Sequence, residues 1–216
     1  MDILSGQRPL PIDSESAQFA LAPGDPQPYT RERHGAAFPA LVVCDHASNA
    51  VPRCLGSLGL NHHQLSLHIA WDVGAAALAR RVAQRLALPF VYSGYSRLVI
   101  DCNRGLDDPA SILSVSDSHA VPGNADVTGG QREARANAIH RPYHAAIDDE
   151  LAESARRVAA PALISIHSFT PIMRGHRRPW HCGILWDRDP RLPVPLLAAL
   201  REDRELQVGD NEPYSG

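Results

Sequence analysis

Two short apolar runs, each followed within a few residues by a histidine, constrain the fold of this chain more than any other feature. The segment LVVCDHASN carries His46 just after its apolar residues, and LISIHSFTP carries His167 in the same way. Runs of this length and composition are typical of buried β-strands. In an α/β sheet, the carboxyl ends of the strands open into the crevice where ligands and metals bind. The sequence therefore predicts that both histidines lie at a ligand-binding edge of a sheet.

A third apolar run, SRLVIDCNR, ends in Asp101, Asn103 and Arg104, and we interpret it as a further strand. The planar guanidinium of arginine can hold a carboxylate with two hydrogen bonds, and a charge-assisted contact of this kind contributes about 1.5–3 kcal/mol. Arg104 and also Arg97 are candidates for binding a substrate carboxylate, with Asn103 donating from its amide. The alternative is that each arginine only forms an ion pair within the protein.

The spacing of apolar residues along the chain predicts strands that alternate with helices. Strands are expected at 40–44, 90–92, 96–103 and 163–167 and in CGILW, and helices at 61–87, 131–158 and around 194–203. This alternation indicates an α/β fold: a single three-layer domain over residues 1–216, with a mostly parallel or mixed central sheet and helices on both faces. Residues 1–38 are rich in proline, glycine, serine and charge, and they predict an irregular lead-in to that domain.

The amino-acid composition limits the kinds of molecule that this chain is expected to bind. The 216 residues are 44% hydrophobic, enough for one substantial core, and carry a formal charge of -3. This balance gives no electrostatic reason to expect nucleic acid or an anionic membrane, so a small molecule is the expected ligand. The amino terminus has neither a basic segment nor a long apolar one, which argues against a signal peptide or membrane span. The four cysteines show no CxxC spacing, which favours a reduced, cytoplasmic protein.

His46 and His167 are candidate nitrogen ligands of a divalent metal. Hydrolytic zinc sites commonly combine two histidines and a carboxylate, and leave a position for a water whose pKa falls to about 7. The residue at the favourable spacing after His46 is Asn49, an uncharged amide with weak affinity for zinc. Asp72 in HIAWDVG is the better candidate for the third ligand. The alternatives are that the histidines hydrogen-bond neighbouring loops and that Asp72 is a solvated or capping residue.

A second pair of histidines, His140 and His144, lies four residues apart on a predicted helix. That spacing is compatible with metal binding, but Pro142 between them weakens this interpretation. Surface or loop-anchoring roles are favoured, and His144 is the member expected nearer the pocket. The basic stretch Met173–His181 is either a lid that recruits an acidic substrate or an exposed charged loop.

The segments CDHASNAVP, AWDVGAAALA, SRLVIDCNR, RPYHAAID, ISIHSFTP and DNEPYSG occur in this order over residues 40–216. Together they resemble the N-formylglutamate amidohydrolase family. The resemblance implies a phosphorylase/hydrolase-like α/β fold, similar to zinc carboxypeptidases. It also implies a cytoplasmic metal-dependent deacylase, active in histidine degradation, that splits an N-acyl amino acid such as N-formylglutamate.

The resemblance also implies roles for individual residues. His46 and His167 match metal ligands of the wider group of enzymes, and Asn103 with Arg104 matches its carboxylate-binding pair. Tyr214 in DNEPYSG is expected at the substrate pocket. The general-base glutamate of related deacylases is expected beyond Gly216. Two other interpretations stay open at this point: a catalytically weak carboxylate-binding protein on the same fold, and a carboxypeptidase-like or desuccinylase-like hydrolase.

Overall fold

A computed structural model of the protein describes residues 19–35, 40–173 and 175–214. The strands, numbered along the chain, are β1 (Tyr29–Glu32), β2 (Ala40–Cys44), β3 (Phe90–Ser93), β4 (Val115–Ser116), β5 (His119–Ala120), β6 (Ala162–Ser165), β7 (Ile172–Met173), β8 (His176–Arg177), β9 (Cys182–Ile184) and β10 (Val208–Asp210). The helices are α1 (His62–Ser66), α2 (Ala75–Leu86), α3 (Gly129–Arg135), α4 (Arg141–Ala155) and α5 (Pro193–Arg201). A π-helical turn, Ala136–His140, joins α3 to α4.

The central sheet has four strands in the order β1-β3-β2-β6. β2 pairs in parallel with β3 on one side and with β6 on the other, whereas β1 is antiparallel to β3. The chain passes from β2 through α2 to β3, and then returns through α4 to β6 on the far side of β2. The strand order therefore reverses at β2, and the crevice at such a switch point is where ligands bind in open α/β sheets.

Helices cover both faces of β2, which explains why this strand is apolar throughout. Ala40, Val42 and Cys44 belong to the core cluster on the side of α2, whereas Leu41 and Val43 belong to the cluster on the side of α4. Successive side chains of a strand point to opposite faces, so a strand between two helical layers is buried at every position. The residues that α2 buries are all small: Ala75, Ala79 and Ala83. The predicted α/β class, with a mixed sheet and helices on both faces, is confirmed.

The run SRLVIDCN is not a strand, contrary to the sequence-based prediction. Leu98, Val99 and Ile100 are buried as that pattern requires, but the segment forms turns. Its carbonyl groups are satisfied by buried side chains instead of by a neighbouring strand: Asn124 donates to Leu98 O at 2.7 Å, and Arg135 donates to Val99 O at 3.1 Å. An apolar run can therefore be buried without a ladder where side chains meet the hydrogen-bonding needs of its backbone.

The predicted helix over 61–87 is divided into α1 and α2 by a turn at 67–74. Gly74 precedes α2 with a φ of 83°, a conformation that glycine adopts without steric cost. The turn brings the backbone N–H of Asp72 to 2.9 Å from the carbonyl oxygen of His46. The interruption thus carries a carboxylate to the end of β2, which a continuous helix would not do.

The predicted irregular lead-in, 1–38, contains β1. Glu32 of this strand accepts hydrogen bonds from Arg80 of α2 at 2.9 and 3.1 Å, which ties the strand to the helical layer. Residues 1–18 and 36–39 lie outside the described part of the chain. Among the described helices, none is long and apolar enough to cross a membrane.

Candidate metal centre and active site

His46, Asp72 and His167 converge on one point at the carboxyl end of the sheet. One ligand atom from each lies within 4.8 Å of the others. The two histidines meet because β2 and β6 are neighbouring parallel strands, and each strand delivers its histidine just beyond its carboxyl end. The turn before α2 supplies the carboxylate. The three residues predicted as metal ligands are thus brought together by the fold.

The His46 ring is 1% exposed and uses only one of its nitrogens in a hydrogen bond. Its Nε2 lies 2.6 Å from Asp101 Oδ1. Its Nδ1 lies 3.5 Å from Asp72 Oδ2 and is buried without a hydrogen-bond partner among the described residues. A buried nitrogen without a partner is costly, so this atom is suited to a ligand that the site would take up.

The His167 ring lies between two carboxylates. Its Nδ1 is 2.9 Å from Asp72 Oδ2, and its Nε2 is 3.0 Å from Asp45 Oδ2. Because both ring nitrogens face carboxylate oxygens, both carry a proton, and the imidazole is charged in this arrangement. The His167 side chain is 31% exposed, so this edge of the centre is open to solvent, whereas His46 closes the interior edge.

The two histidines share one pattern, and that pattern fits a divalent cation. Each directs Nδ1 towards Asp72 and Nε2 towards a further aspartate, Asp101 for His46 and Asp45 for His167. Metal-ligating histidines almost always donate their second ring N–H to a carboxylate, a backbone carbonyl group or water, which fixes the ring orientation and makes the ligating nitrogen more basic. Two imidazole nitrogens and a carboxylate oxygen form a donor set typical of hydrolytic zinc sites.

Asp45 is 7% exposed and anchors the outer part of the centre. Tyr143 OH donates to Asp45 Oδ1 at 2.9 Å, and Ser165 Oγ donates to Asp45 Oδ2 at 2.8 Å. Ser165 Oγ also lies 3.1 Å from His167 Nε2. Because Tyr143 belongs to α4 and Ser165 to β6, this aspartate joins the helical layer to the sheet at the position where His167 is held.

Electrostatics of the centre favour charged carboxylates and a charged His167. Burial by itself would lower the pKa of His167, but its hydrogen bonds to Asp45 and Asp72 together outweigh burial and raise the pKa to about 9. Burial by itself would raise the pKa of Asp72, but the two histidines lower it well below its ordinary value. Burial opposes the Asp101 carboxylate in the same way, and its contacts with His46 and Arg97 again lower the pKa.

Arg97, a predicted substrate-binding residue, contacts the carboxylates of the centre. Its guanidinium donates to Asp101 Oδ2 at 3.1 Å and to Asp72 Oδ1 at 3.4 Å. The arginine therefore balances part of the negative charge that these two aspartates bring to the site. Its side chain is 29% exposed, so it also borders solvent.

A cavity of about 380 Å³ lies beside the candidate metal ligands. Asp45 and Ser165, which both contact His167, form part of its wall, so the cavity opens next to the centre. Asn103 and Arg104 line the same cavity, as their predicted role in binding a carboxylate requires. The other lining residues combine apolar and imidazole groups: Val43, Cys102, Gly105, His140, His144, Ile147 and Leu163.

The Arg104 guanidinium at this cavity already has anionic neighbours. Nη1 lies 2.9 Å from Asp108 Oδ2, and Nε lies 3.5 Å from Asp101 Oδ2. Its side chain is 40% exposed, and that of Asp108 is 36% exposed, so their ion pair lies in contact with water. An exposed pair of this kind contributes little to stability.

Asn49 and Tyr214 lie in other settings. The Asn49 side chain donates to Leu65 O at 3.0 Å, a contact that anchors the loop after β2. Tyr214 accepts a hydrogen bond from Arg178 at 2.8 Å, and the guanidinium stacks 4.8 Å from its ring. Tyr214 is therefore associated with the segment after β8 and is not among the residues that line the cavity.

Sequence reasoning assigned no role in the centre to Asp45 or Asp101. A signal existed for both, because Asp45 directly precedes His46 in CDH and Asp101 follows the apolar run LVI. What the sequence does not indicate is the cross-pairing: Asp45 orients the distant His167, and Asp101 orients His46. Which aspartate contacts which histidine depends on how β2, β6 and the turns around them are arranged in the fold.

A family model described as N-formylglutamate amidohydrolase matches residues 38–216. The chain belongs to the N-formylglutamate amidohydrolase family. This membership supports a hydrolase of the amidohydrolase type that acts on a small molecule.

Two solved structures are similar to this member of the N-formylglutamate amidohydrolase family. The gene product Atu2144 from Agrobacterium tumefaciens is 35% identical with a TM-score of 0.82, and the match covers 90% of this chain and 77% of that one. The N-formylglutamate amidohydrolase from Ralstonia eutropha JMP134 is 25% identical with a TM-score of 0.68, and the match covers 88% of this chain and 78% of that one. A search of curated proteins gave no match.

Proposed function

We propose that this chain is a metal-dependent amidohydrolase that removes a formyl or other short acyl group from an N-acyl amino acid such as N-formyl-L-glutamate. The observation that carries the proposal is the pair of inward-facing Nδ1 atoms, on His46 and His167, grouped around Asp72. Zinc is the expected metal, and another divalent cation is the alternative. The family match and the cavity beside the centre support the same activity.

His46, His167 and Asp72 would hold the cation. When bound, a zinc ion would lower the pKa of water and polarise the scissile carbonyl group. The protein's own contribution is to fix the ligands: Asp101 and Asp45 accept from the Nε2 atoms, so neither ring can rotate freely.

Asn103 and Arg104 would bind the carboxylate of the amino acid at the wall of the cavity. Fixing this end of the substrate places the scissile amide beside His167, where Asp45 and Ser165 join the cavity to the centre. Positioning of this kind lowers the barrier because the reacting groups no longer have to be brought together from solution. The apolar part of the lining, contributed by Val43 and Ile147, excludes water around the substrate.

The direct test is metal analysis followed by a panel of N-formyl, N-acetyl and N-succinyl amino acids, with released primary amine as the readout. We expect one divalent metal per chain and the fastest turnover with an N-formyl or other short-acyl substrate. Metal uptake with carboxylate binding but without turnover would favour the weak binding protein. Preference for a succinyl or peptide substrate would favour the desuccinylase-like or carboxypeptidase-like alternative.

Replacing Arg104 by glutamine tests the carboxylate contact. We expect KM for N-formyl-L-glutamate to rise about 10- to 150-fold, the equivalent of a charge-assisted hydrogen bond of about 1.5–3 kcal/mol, with kcat little changed. Arg85→Gln, which removes an exposed arginine of α2, is the matched control and should leave KM unchanged. An unchanged KM in Arg104→Gln would exclude this arginine as the carboxylate anchor.

Metal uptake should become tighter as the pH rises from about 6.5 to about 9. The folded metal-free protein holds a proton on His167, whose pKa is raised to about 9, and ligation requires that proton to leave. Because folding raises its pKa, protonated His167 stabilises the metal-free protein fully at pH values below the ordinary histidine pKa of about 6.5. This stabilisation is lost as the pH rises through the pKa of about 9 in the folded protein. Zinc titration calorimetry in buffers of different ionisation enthalpy measures the proton release. An affinity that is constant across this range would contradict the assignment of His167.

A further inference from the structure

His140 and His144 form a second imidazole pair, separate from the candidate metal ligands. His140 ends the π-helical turn Ala136–His140, and His144 follows one turn later in α4. Their ring centroids lie 4.3 Å apart with an interplanar angle of 32°. His140 is 8% exposed, and both rings line the cavity described above.

Both rings are bonded to the backbone of the loop that carries the proposed carboxylate anchor. His140 Nε2 lies 2.9 Å from the carbonyl oxygen of Arg104, and His144 Nε2 lies 2.9 Å from the carbonyl oxygen of Cys102. A carbonyl oxygen can only accept, so each Nε2 carries the hydrogen. These two carbonyl groups belong to the residues on either side of Asn103. The histidine pair therefore contacts the backbone immediately before and after this residue.

The loop is also connected to the metal centre, through Asp101. The backbone N–H of Asn103 donates to Asp101 Oδ1 at 2.9 Å, and the same oxygen lies 2.6 Å from His46 Nε2. The backbone N–H of Arg104 donates to the carbonyl oxygen of Asp101 at 3.2 Å. The backbone of residues 102–104 is therefore held by Asp101, an aspartate of the centre, and by the two histidines of the helical layer.

Side chains have to hold this loop because it is not part of the sheet. It follows the segment of buried turns that replaces the predicted strand, so no ladder fixes its backbone. The π-helical turn contributes to the fit: the N–H of Arg141 bonds to the carbonyl oxygen of Ala136, five residues back. A π-helical turn contains one residue more than an α-helical turn, and this extra residue changes the rotation of α4 relative to α3. Such turns occur frequently at functional sites.

We propose that His140 and His144 are positioning residues that fix the backbone of residues 102–104, so that Asn103 and Arg104 present their side chains to the substrate carboxylate. Neither histidine is assigned to metal binding or to the reacting atoms. The kinetic part of the test depends on the proposed function, and a second measurement is independent of it.

His144 is the better position for substitution because it is only partly buried. In His144→Ala the carbonyl group of Cys102 loses its donor, whereas in His144→Gln the amide nitrogen can occupy the place of Nε2 and donate to it. We expect His144→Ala to raise KM for N-formyl-L-glutamate about tenfold, with kcat within about twofold and one zinc per chain, as for the loss of one well-placed hydrogen bond. His144→Gln should recover most of the KM.

His62→Ala, which removes an exposed histidine of α1, is the matched control and should change neither parameter. An unchanged KM in His144→Ala would overturn the proposal. It would also be overturned if kcat and zinc content fell while KM rose, since that pattern indicates a role in the metal centre. Failure of His144→Gln to restore KM when His144→Ala has raised it would show that the imidazole acts in some other way.

Amide hydrogen exchange of the purified protein, without added substrate, tests the same contact without turnover. We expect the Asn103 and Arg104 amides to exchange at least about tenfold faster in His144→Ala and to be protected again in His144→Gln, with Val42 in β2 unchanged as the internal reference. Equal exchange in the three proteins would overturn the proposal. Absence of hydrolysis by the wild-type protein would instead refute the proposed function and leave this comparison valid.

Discussion

Replacing His46 by alanine is expected to abolish metal binding and with it essentially all hydrolysis. His46 contributes the most buried of the three ligand atoms, and its Nδ1 has no other partner among the described residues. A bound metal supplies several kcal/mol of transition-state stabilisation, so kcat/KM should fall by more than about a thousandfold. Zinc content measured by elemental analysis should fall from one per chain to background.

His63→Ala is the matched control for this variant, because it removes an exposed histidine of α1. It should retain the full zinc content and the full rate. Circular dichroism and thermal unfolding establish that His46→Ala is folded before its zinc content is interpreted. Full zinc content together with full turnover in folded His46→Ala would show that the assigned centre is not the site of reaction.

Replacing Asp45 by alanine is expected to weaken both the fold and the metal centre. The substitution removes the acceptor of Tyr143 OH, which is fully buried, together with the acceptors of Ser165 and His167. Breaking a buried charged pair typically lowers the free energy of unfolding by about 3–5 kcal/mol. Loss of the carboxylate that orients a metal-ligating histidine typically reduces metal affinity about 10- to 100-fold.

Urea unfolding of the metal-free proteins and zinc titration measure these two effects separately. Asp148→Ala, which removes an exposed aspartate of α4, should change neither. Burial opposes the charge on Asp45, but its contacts, led by the hydrogen bond with His167, lower its pKa in the folded protein. The contribution of Asp45 is therefore present above the ordinary carboxyl pKa of about 3.9 and is lost as the pH falls below it. A difference between wild type and Asp45→Ala that increased in acid would contradict this account.

The strands that precede the two histidines could be predicted because each is a short apolar run followed by polar residues, although β2 is fully buried and β6 is only partly buried. β2 and β6 occur where the sequence predicted them, and their parallel pairing accounts for the approach of His46 to His167. Asp72 could be selected by its chemistry alone, as a carboxylate near an expected metal site. The turn that places Asp72 beside the two histidines interrupts a predicted helix, and Gly74 is the one sequence feature that indicates this interruption.

The incorrect predictions have a common physical origin. The run SRLVIDCN has the hydrophobicity of a strand, but hydrophobicity reports burial and not hydrogen bonding. Its carbonyl groups are satisfied by Asn124 and Arg135, which lie well downstream in the chain, and no local pattern indicates that pairing. The carboxylates behind the metal ligands were missed for the same reason, since Asp45 orients a histidine 122 residues later in the sequence.

A crystal structure of the zinc-loaded protein, with anomalous diffraction collected at the zinc absorption edge, tests the central claim most directly. The account predicts one zinc ion per chain, about 2.0–2.2 Å from Nδ1 of His46, Nδ1 of His167 and a carboxylate oxygen of Asp72. Asp101 and Asp45 should remain on the Nε2 atoms. An anomalous peak elsewhere in the protein, or no peak at this site after saturation with zinc, would contradict it.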